Sequence, residues 1–227
     1  NKILSKNVDK IAVAYEGLDR YFPKEKIVFT GNPIRKLIET SCVDASKAKK
    51  HFELNPHRKT LVVLGGSLGA KRINDLINEK LDWFRSLDIQ IIWQCGSLYY
   101  EKYKRLSCDE VKILAFVNEM DQLYASADFI ISRAGAATLS ELSCVGKPVI
   151  LIPSPNVAEN HQFHNAMAFE NRNAAVVVTE KNLNTQFEGS FRTLLDEEKQ
   201  KEFIENLKQL AKPHAAKEIV NHIEELL

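Results

Sequence analysis

The sequence has almost no net charge. Its 31 lysines and arginines stand against 30 acidic residues, for a formal charge of +1. That balance argues against bulk electrostatic binding to nucleic acid. Four cysteines, Cys42, Cys95, Cys108 and Cys144, are widely spaced, and no C-x-x-C pair occurs. Zinc and thioredoxin-like patterns are therefore excluded. Cys95 and Cys144 stand in apolar surroundings and read as reduced core residues, as in a cytosolic protein. No apolar run approaches the roughly 18 residues that span a bilayer, and no signal-peptide pattern appears. This excludes a spanning segment but not a peripheral membrane contact. Repeats and low-complexity segments are also missing.

What remains is an ordinary globular composition, 44% hydrophobic and 27% charged. A length of 227 residues allows one or two domains and a sizeable core. The chain begins at Asn1 and enters a strand-like run, Ile11-Ala12-Val13-Ala14-Tyr15, almost at once. So abrupt an opening leads us to expect the C-terminal part of a longer polypeptide.

Apolar and β-branched runs predict strands at 10–15, 26–30, 60–64, 89–93, 111–116, 128–132, 148–153 and 174–179. Helical spacing predicts helices at about 69–84, 97–106, 119–127, 137–146 and 161–172. Three more close the chain at about 183–195, 197–211 and 214–227, with Pro213 marking a break. Residues 32–59, with Pro33 and Pro56, read as a connection plus a short helix. From residue 60 the alternation is β-α-β-α. The expected fold is α/β, a Rossmann-like parallel sheet with helices on both faces.

Two strand-to-helix turns carry the chemistry. Ser132-Arg133-Ala134-Gly135-Ala136-Ala137-Thr138-Leu139-Ser140-Glu141 follows the run Phe129-Ile130-Ile131. Small residues there let backbone N–H groups approach a phosphate, whose charge the helix dipole favours. Glu141, about one turn into the helix, is placed to accept hydrogen bonds from a ribose diol. Gly65-Gly66-Ser67-Leu68-Gly69-Ala70 follows Thr60 to Leu64 in the same way. It is neither G-x-G-x-x-G nor a P-loop. The next strand ends in Gln94-Cys95-Gly96, with no acid for an adenosine ribose, which disfavours a dinucleotide. In open α/β sheets ligands sit beyond the carboxyl ends of the strands. Gly31 to Arg35, the 65–70 turn, Phe116 to Asn118, the 132–141 segment and Pro153 to Asn165 all occupy such positions.

Each feature also has a bland alternative. Glu141 can be a solvated helix acid favoured by the dipole. Gln162 and Asn165 can be exposed polar residues on a helix. Arg133 reads best as the partner of a nearby acid. His161 and His164 lack metal-ligand spacing with any partner. Tyr99, Tyr100 and Tyr103 read as packing residues rather than a base-stacking platform.

Four segments occur in order: Thr30-Gly31-Asn32-Pro33-Ile34-Arg35, Gly65 to Ala70, Ser132 to Glu141, and Ala158-Glu159-Asn160-His161-Gln162-Phe163-His164-Asn165-Ala166. Together they resemble the C-terminal half of the MurG family of peptidoglycan glycosyltransferases, from about residue 8 to about residue 180. The resemblance implies the C-terminal domain of a GT-B glycosyltransferase. Residues 1–31 would be a remnant of the N-terminal acceptor domain and hinge, and residues 32–227 the UDP-sugar-binding domain. The implied reaction is inverting transfer of GlcNAc from UDP-GlcNAc to lipid I, making lipid II for the cell wall. The implied location is the cytoplasmic face of the bacterial inner membrane, held peripherally. The family's G-G-T-G-G-H motif and proposed histidine base belong to the N-terminal domain and have no counterpart here. No catalytic residue is therefore assigned, and the chain alone is expected to be inactive. Lipid I would be met through that missing domain, and no metal or other cofactor is implied.

Residue by residue, the resemblance places Arg35 on the nucleotide side of the cleft and Ser67 against the diphosphate. Val117 would lie against uracil. Ala136, Ala137 and Thr138 would donate backbone N–H groups to the α-phosphate, and Glu141 would hold the ribose. Gln162 and Asn165 would bind the sugar hydroxyls. Leu68 stands where many members have Gln, and His161 where some have the first of two glutamines. The rival readings are a UDP-sugar-binding subunit or regulator, and a glycolipid glycosyltransferase with another acceptor. An oxidoreductase is a weak third.

Overall fold

The computed structural model describes residues 3–14, 19 and 21–227. After a 3-10 turn, Leu4–Asn7, come two short parallel strands, β1 (Ile11–Val13) and β2 (Ile27–Phe29), which form a sheet of their own. Tyr15, expected at the end of the first strand, lies outside the described residues. A polar connection follows with two helices, α1 (Lys36–Glu39) and α2 (Ala45–His51). Asp44 caps α2 by accepting a hydrogen bond from the Lys47 N–H at 3.0 Å.

The main unit begins with β3 (Lys59–Leu64) and α3 (Lys71–Ser86). It continues through β4 (Ile89–Gln94), α4 (Tyr100–Tyr103), β5 (Val111–Leu114) and α5 (Met120–Ser126). Next come β6 (Phe129–Ser132), α6 (Ala136–Val145), β7 (Val149–Leu151), α7 (His161–Glu170) and β8 (Val176–Val177). Three helices finish the chain: α8 (Leu183–Leu195), α9 (Glu197–Leu210) and α10 (Ala215–Glu224). The six strands are all parallel, in the order β5-β4-β3-β6-β7-β8. The strand order reverses between β3 and β6, so a crevice opens at their carboxyl ends.

Strands of a covered parallel sheet are apolar on both faces, and all six residues of β4 are buried. Alternate side chains divide between two cores. Leu61, Val63, Ile91 and Trp93 pack with Ile73, Ile77 and Phe84 of α3 and with Phe187 and Phe191 of α8. Val62, Leu64, Ile92 and Ile130 pack with Leu123 of α5, Leu139 and Leu142 of α6, and Phe169 of α7. Each large side chain so buried contributes about 1.5–3 kcal/mol of transfer free energy.

Several elements are shorter than their sequence patterns. The helix expected at 97–106 is the single turn α4 followed by a 3-10 turn, Lys104–Leu106. Gly96, at φ +86°, reverses the chain there, and Tyr103 anchors it by full burial beside Trp93. The strand expected at 174–179 pairs over only two residues, because it is an edge strand with β7 as its one neighbour. Pro148 and Pro153 bracket β7, and neither has an N–H to extend the ladder.

Candidate functional site

The site is assembled by register. Leu64 of β3 and Ser132 of β6 are partners across the centre of the sheet, so the two turns leave it side by side. After β3 the chain turns through Gly66 (φ +79°) and Gly69 (φ +88°), closed by a hydrogen bond from Gly69 N–H to Gly66 C=O at 3.1 Å. Ser67 stands exposed at the tip. Its carbonyl accepts from the Ser97 N–H at 3.1 Å and the Ser97 hydroxyl at 3.3 Å, which leaves its own hydroxyl at the rim. The buried Asn74 supports this corner: it donates to Cys95 C=O at 2.8 Å and accepts from the Trp93 indole at 2.9 Å.

After β6 the chain enters α6 through Gly135, and Ala136 and Ala137 are exposed at its first turn while Thr138 is half-buried. First-turn amides lack intrahelical acceptors and carry the positive end of the dipole. Ala136 also lines a cavity of about 460 Å³ shared with Asn32 and with Ile11 and Ala14 of the N-terminal segment. Asn32 donates to Ser140 Oγ at 3.1 Å and ties the segment before α1 to α6. The cavity is within the size range of small-molecule sites.

Glu141 lies on the sixth residue of α6, and it is buried to 9% exposure. It is not the solvated surface acid of the bland reading. The Tyr124 phenol donates to its Oε2 at 3.0 Å, and Arg35 Nη1 stands 3.5 Å from its Oε1. Burial, and the neighbouring carboxylate, push the Tyr124 phenol well above the ordinary tyrosine range, so it remains a donor. Arg35 itself is the residue preceding α1, with half of its side chain exposed.

The remaining expected residues fall around this centre with differing freedom. The Val117 side chain is 4% exposed and packed in the core, so only its main chain is available to a ligand. Its neighbour Phe116 is the half-exposed group at that strand end. Gln162 Oε1 accepts from Ser154 N–H at 3.0 Å, and Asn165 Nδ2 donates to Ala134 C=O at 3.2 Å. Each amide therefore fixes a loop with one of its two polar ends. Arg133 pairs with Glu180 at 2.6 Å and donates to Ile152 C=O at 3.0 Å, as its bland reading holds. His161 bonds Ala158 C=O at 2.8 Å through Nδ1. No group of three or more metal-ligating side chains occurs among the described residues. Tyr124 and Asn74 were not singled out from the sequence, since both sit at helical core spacing and show their polar role only through their partners.

Residues 60–223 match the glycosyltransferase family 28 C-terminal domain. A UDP-N-acetylglucosamine–N-acetylmuramyl-(pentapeptide) pyrophosphoryl-undecaprenol N-acetylglucosamine transferase of Flavobacterium psychrophilum is 50% identical over 229 aligned residues, covering 100% of this chain and 62% of the relative. The transferase of the same name from Christiangramia forsetii is 47% identical with the same coverage. The chain thus spans 62% of the length of these curated relatives. Among solved structures, Acinetobacter baumannii MurG superposes with a TM-score of 0.75 at 27% identity, over 98% of this chain and 62% of that one. A Staphylococcus aureus MnaA–UDP co-structure shares the fold, with a TM-score of 0.68 at 15% identity. With the parallel sheet, its switch point and the family match in agreement, the chain belongs to the glycosyltransferase family 28 C-terminal domain family.

Proposed function

We propose that this chain is the donor-binding part of a transferase that moves GlcNAc from UDP-GlcNAc to lipid I, giving lipid II in peptidoglycan synthesis. The reading is supported chiefly by one arrangement: a buried, hydrogen-bonded carboxylate at Glu141, on a helix whose exposed first turn adjoins the glycine turn at the switch point. In this reading Glu141 holds the ribose. The amides of Ala136, Ala137 and Thr138 and the hydroxyl of Ser67 hold the diphosphate. Phe116 and the main chain of Val117 meet the uracil. Gln162 and Asn165 offer their other amide ends to the sugar.

The chemistry follows from that placement. The acceptor hydroxyl attacks the anomeric carbon, the bond to the diphosphate breaks, and UDP leaves with inversion. Negative charge grows on the leaving oxygen, where the α6 dipole and backbone donors oppose it. The proton of the acceptor goes to a base outside this chain. Residues 1–31 would then be the edge of the acceptor domain and hinge, and residues 32–227 the donor domain. Lipid I is membrane-bound, so the assembled enzyme would work peripherally at the cytoplasmic face of the inner membrane. No helix among the described residues is long and apolar enough to cross a membrane. The test is transfer of labelled GlcNAc to lipid I by the purified chain, with and without an N-terminal half supplied from a relative. Transfer is expected only when both halves are present. Transfer by the chain alone would contradict the division of labour.

A further inference from the structure

Arg133 is the first residue after β6, yet its guanidinium is used beyond the neighbouring strand. Nη1 donates to Ile152 C=O at 3.0 Å, and Nη2 pairs with Glu180 at 2.6 Å. The sheet order β6-β7-β8 puts Ile152 at the end of the next strand and Glu180 past the strand after that. Both side chains of the ion pair are largely buried, at 18% and 16% exposure. Glu180 is a fixed post, since Val178 before it donates to Leu151 C=O at 3.0 Å and Leu183 after it lies in the core. Ile152 is the last residue before the chain leaves the sheet through Pro153, which has no N–H to fix its own direction. The guanidinium therefore sets where that segment departs. Two residues on, the Ser154 N–H donates to Gln162 Oε1 at 3.0 Å. Asn165, on the same face of α7 as Gln162, donates to Ala134 C=O at 3.2 Å, beside Arg133. The contacts form a closed ring that starts and ends at the turn after β6.

Resting on the nucleotide reading above, we propose that Arg133 is a positioning residue for the sugar end of the donor, acting from Glu180 through the segment that follows β7. The guanidinium fixes Ile152, the segment fixes Gln162, and Asn165 closes the frame on the turn before α6. Arg133 itself needs no contact with the ligand. Its two bonds leave different nitrogens of one planar fork, a geometry that a lysine does not reproduce. The turn before α6 is secured separately. Ser132 pairs with Leu64 of β3, and the Leu139 N–H donates to Gly135 C=O at 2.9 Å. Loss of Arg133 thus loosens the sugar's contacts and leaves the nucleotide's in place. The ion pair thereby tunes the preference for a sugar nucleotide over the bare nucleotide.

Calorimetric titration of the 227-residue chain with UDP and with UDP-GlcNAc separates the two ends of the donor. In Arg133→Met the Kd for UDP-GlcNAc should rise about tenfold, as misplaced contacts cost, and the Kd for UDP less than about twofold. Glu180→Gln keeps an acceptor and the volume but not the charge, and should show the same selectivity at about threefold. It carries the test alone if Arg133→Met does not fold. In a Gln162→Ala, Asn165→Ala background the selective loss should vanish, because Arg133 acts through those amides. A merely structural role for Arg133 would not move with that background. A selective loss of the same size there, equal losses for both ligands, or no loss for either overturns the positioning role while leaving the nucleotide site standing. A parent chain that binds neither ligand overturns the nucleotide reading and the positioning role with it.

Discussion

Gly69 and Gly96 meet backbone to backbone where the turns after β3 and β4 cross. A Cβ on Gly96 would fall 2.1 Å from the Gly69 nitrogen, and one on Gly69 would fall 2.2 Å from the Cys95 carbonyl oxygen. Both residues also have positive φ, +88° and +86°. The contact fixes the height of the 65–70 turn and hence of Ser67. Gly96→Ala should cost about 2–6 kcal/mol, the sum of left-handed strain and overpacking. It should also weaken UDP binding by displacing Ser67. Urea denaturation checks the first effect, and an unchanged midpoint would refute the close contact.

Glu141→Ala should destabilise the fold as well as the site. The Tyr124 hydroxyl is buried and would lose its acceptor, which costs about 1–3 kcal/mol. For a chain of this size that lowers Tm by about 2–12 °C. Glu141→Gln keeps an acceptor and the volume, and should recover most of the loss. Thermal melts of the three proteins decide it, and an unaltered Tm for Glu141→Ala would return this residue to the surface.

Asp128 should carry part of the stability that is lost in acid. Burial pushes its carboxyl up, but the Lys49 ammonium at 2.7 Å, the Thr60 N–H at 2.9 Å and nearby Lys59 outweigh this and hold it below its ordinary value of 3.8. A carboxyl lowered in the folded state stabilises above its unfolded value and ceases to as pH falls through the folded one. Lys49 is almost buried, so Asp128→Asn strands its charge and should cost about 2–3 kcal/mol at pH 7, below the range for fully buried pairs. The gap between parent and variant should close below about pH 4. Denaturation at several pH values reads it, and a gap independent of pH would contradict the ion-pair account.

The parallel fold was legible because buried strands and amphipathic helices impose unlike periods. The sequence reading places α8 at 183–195 and α5 within a residue at each end. Lengths failed where tertiary contact decides them, as at α4, which Gly96 and Tyr103 curtail, and at the edge strand β8. In the site, backbone-determined features were readable: the two turns and the α6 N-terminus. The pairing of Arg133 with an acid was readable too, but the partners of Glu141 were not. Tyr124 and Glu141 are 17 residues apart, and Arg35 is 89 from the first and 106 from the second, so no local pattern joins them. The burial of Glu141 follows from that triangle of partners, and helix periodicity carries no trace of it.

Donor binding at Glu141 is the most direct test of the whole account. The chain is to be titrated calorimetrically with UDP-GlcNAc, UDP and NADH, and the titrations repeated on Glu141→Ala and Glu141→Gln. The account predicts saturable binding of UDP and UDP-GlcNAc and none of NADH. It predicts a rise in Kd of roughly tenfold to a hundredfold in Glu141→Ala, the equivalent of charge-assisted hydrogen bonds worth about 1.5–3 kcal/mol, with a smaller rise in Glu141→Gln. An unchanged Kd for UDP in a folded Glu141→Ala protein would contradict the nucleotide site.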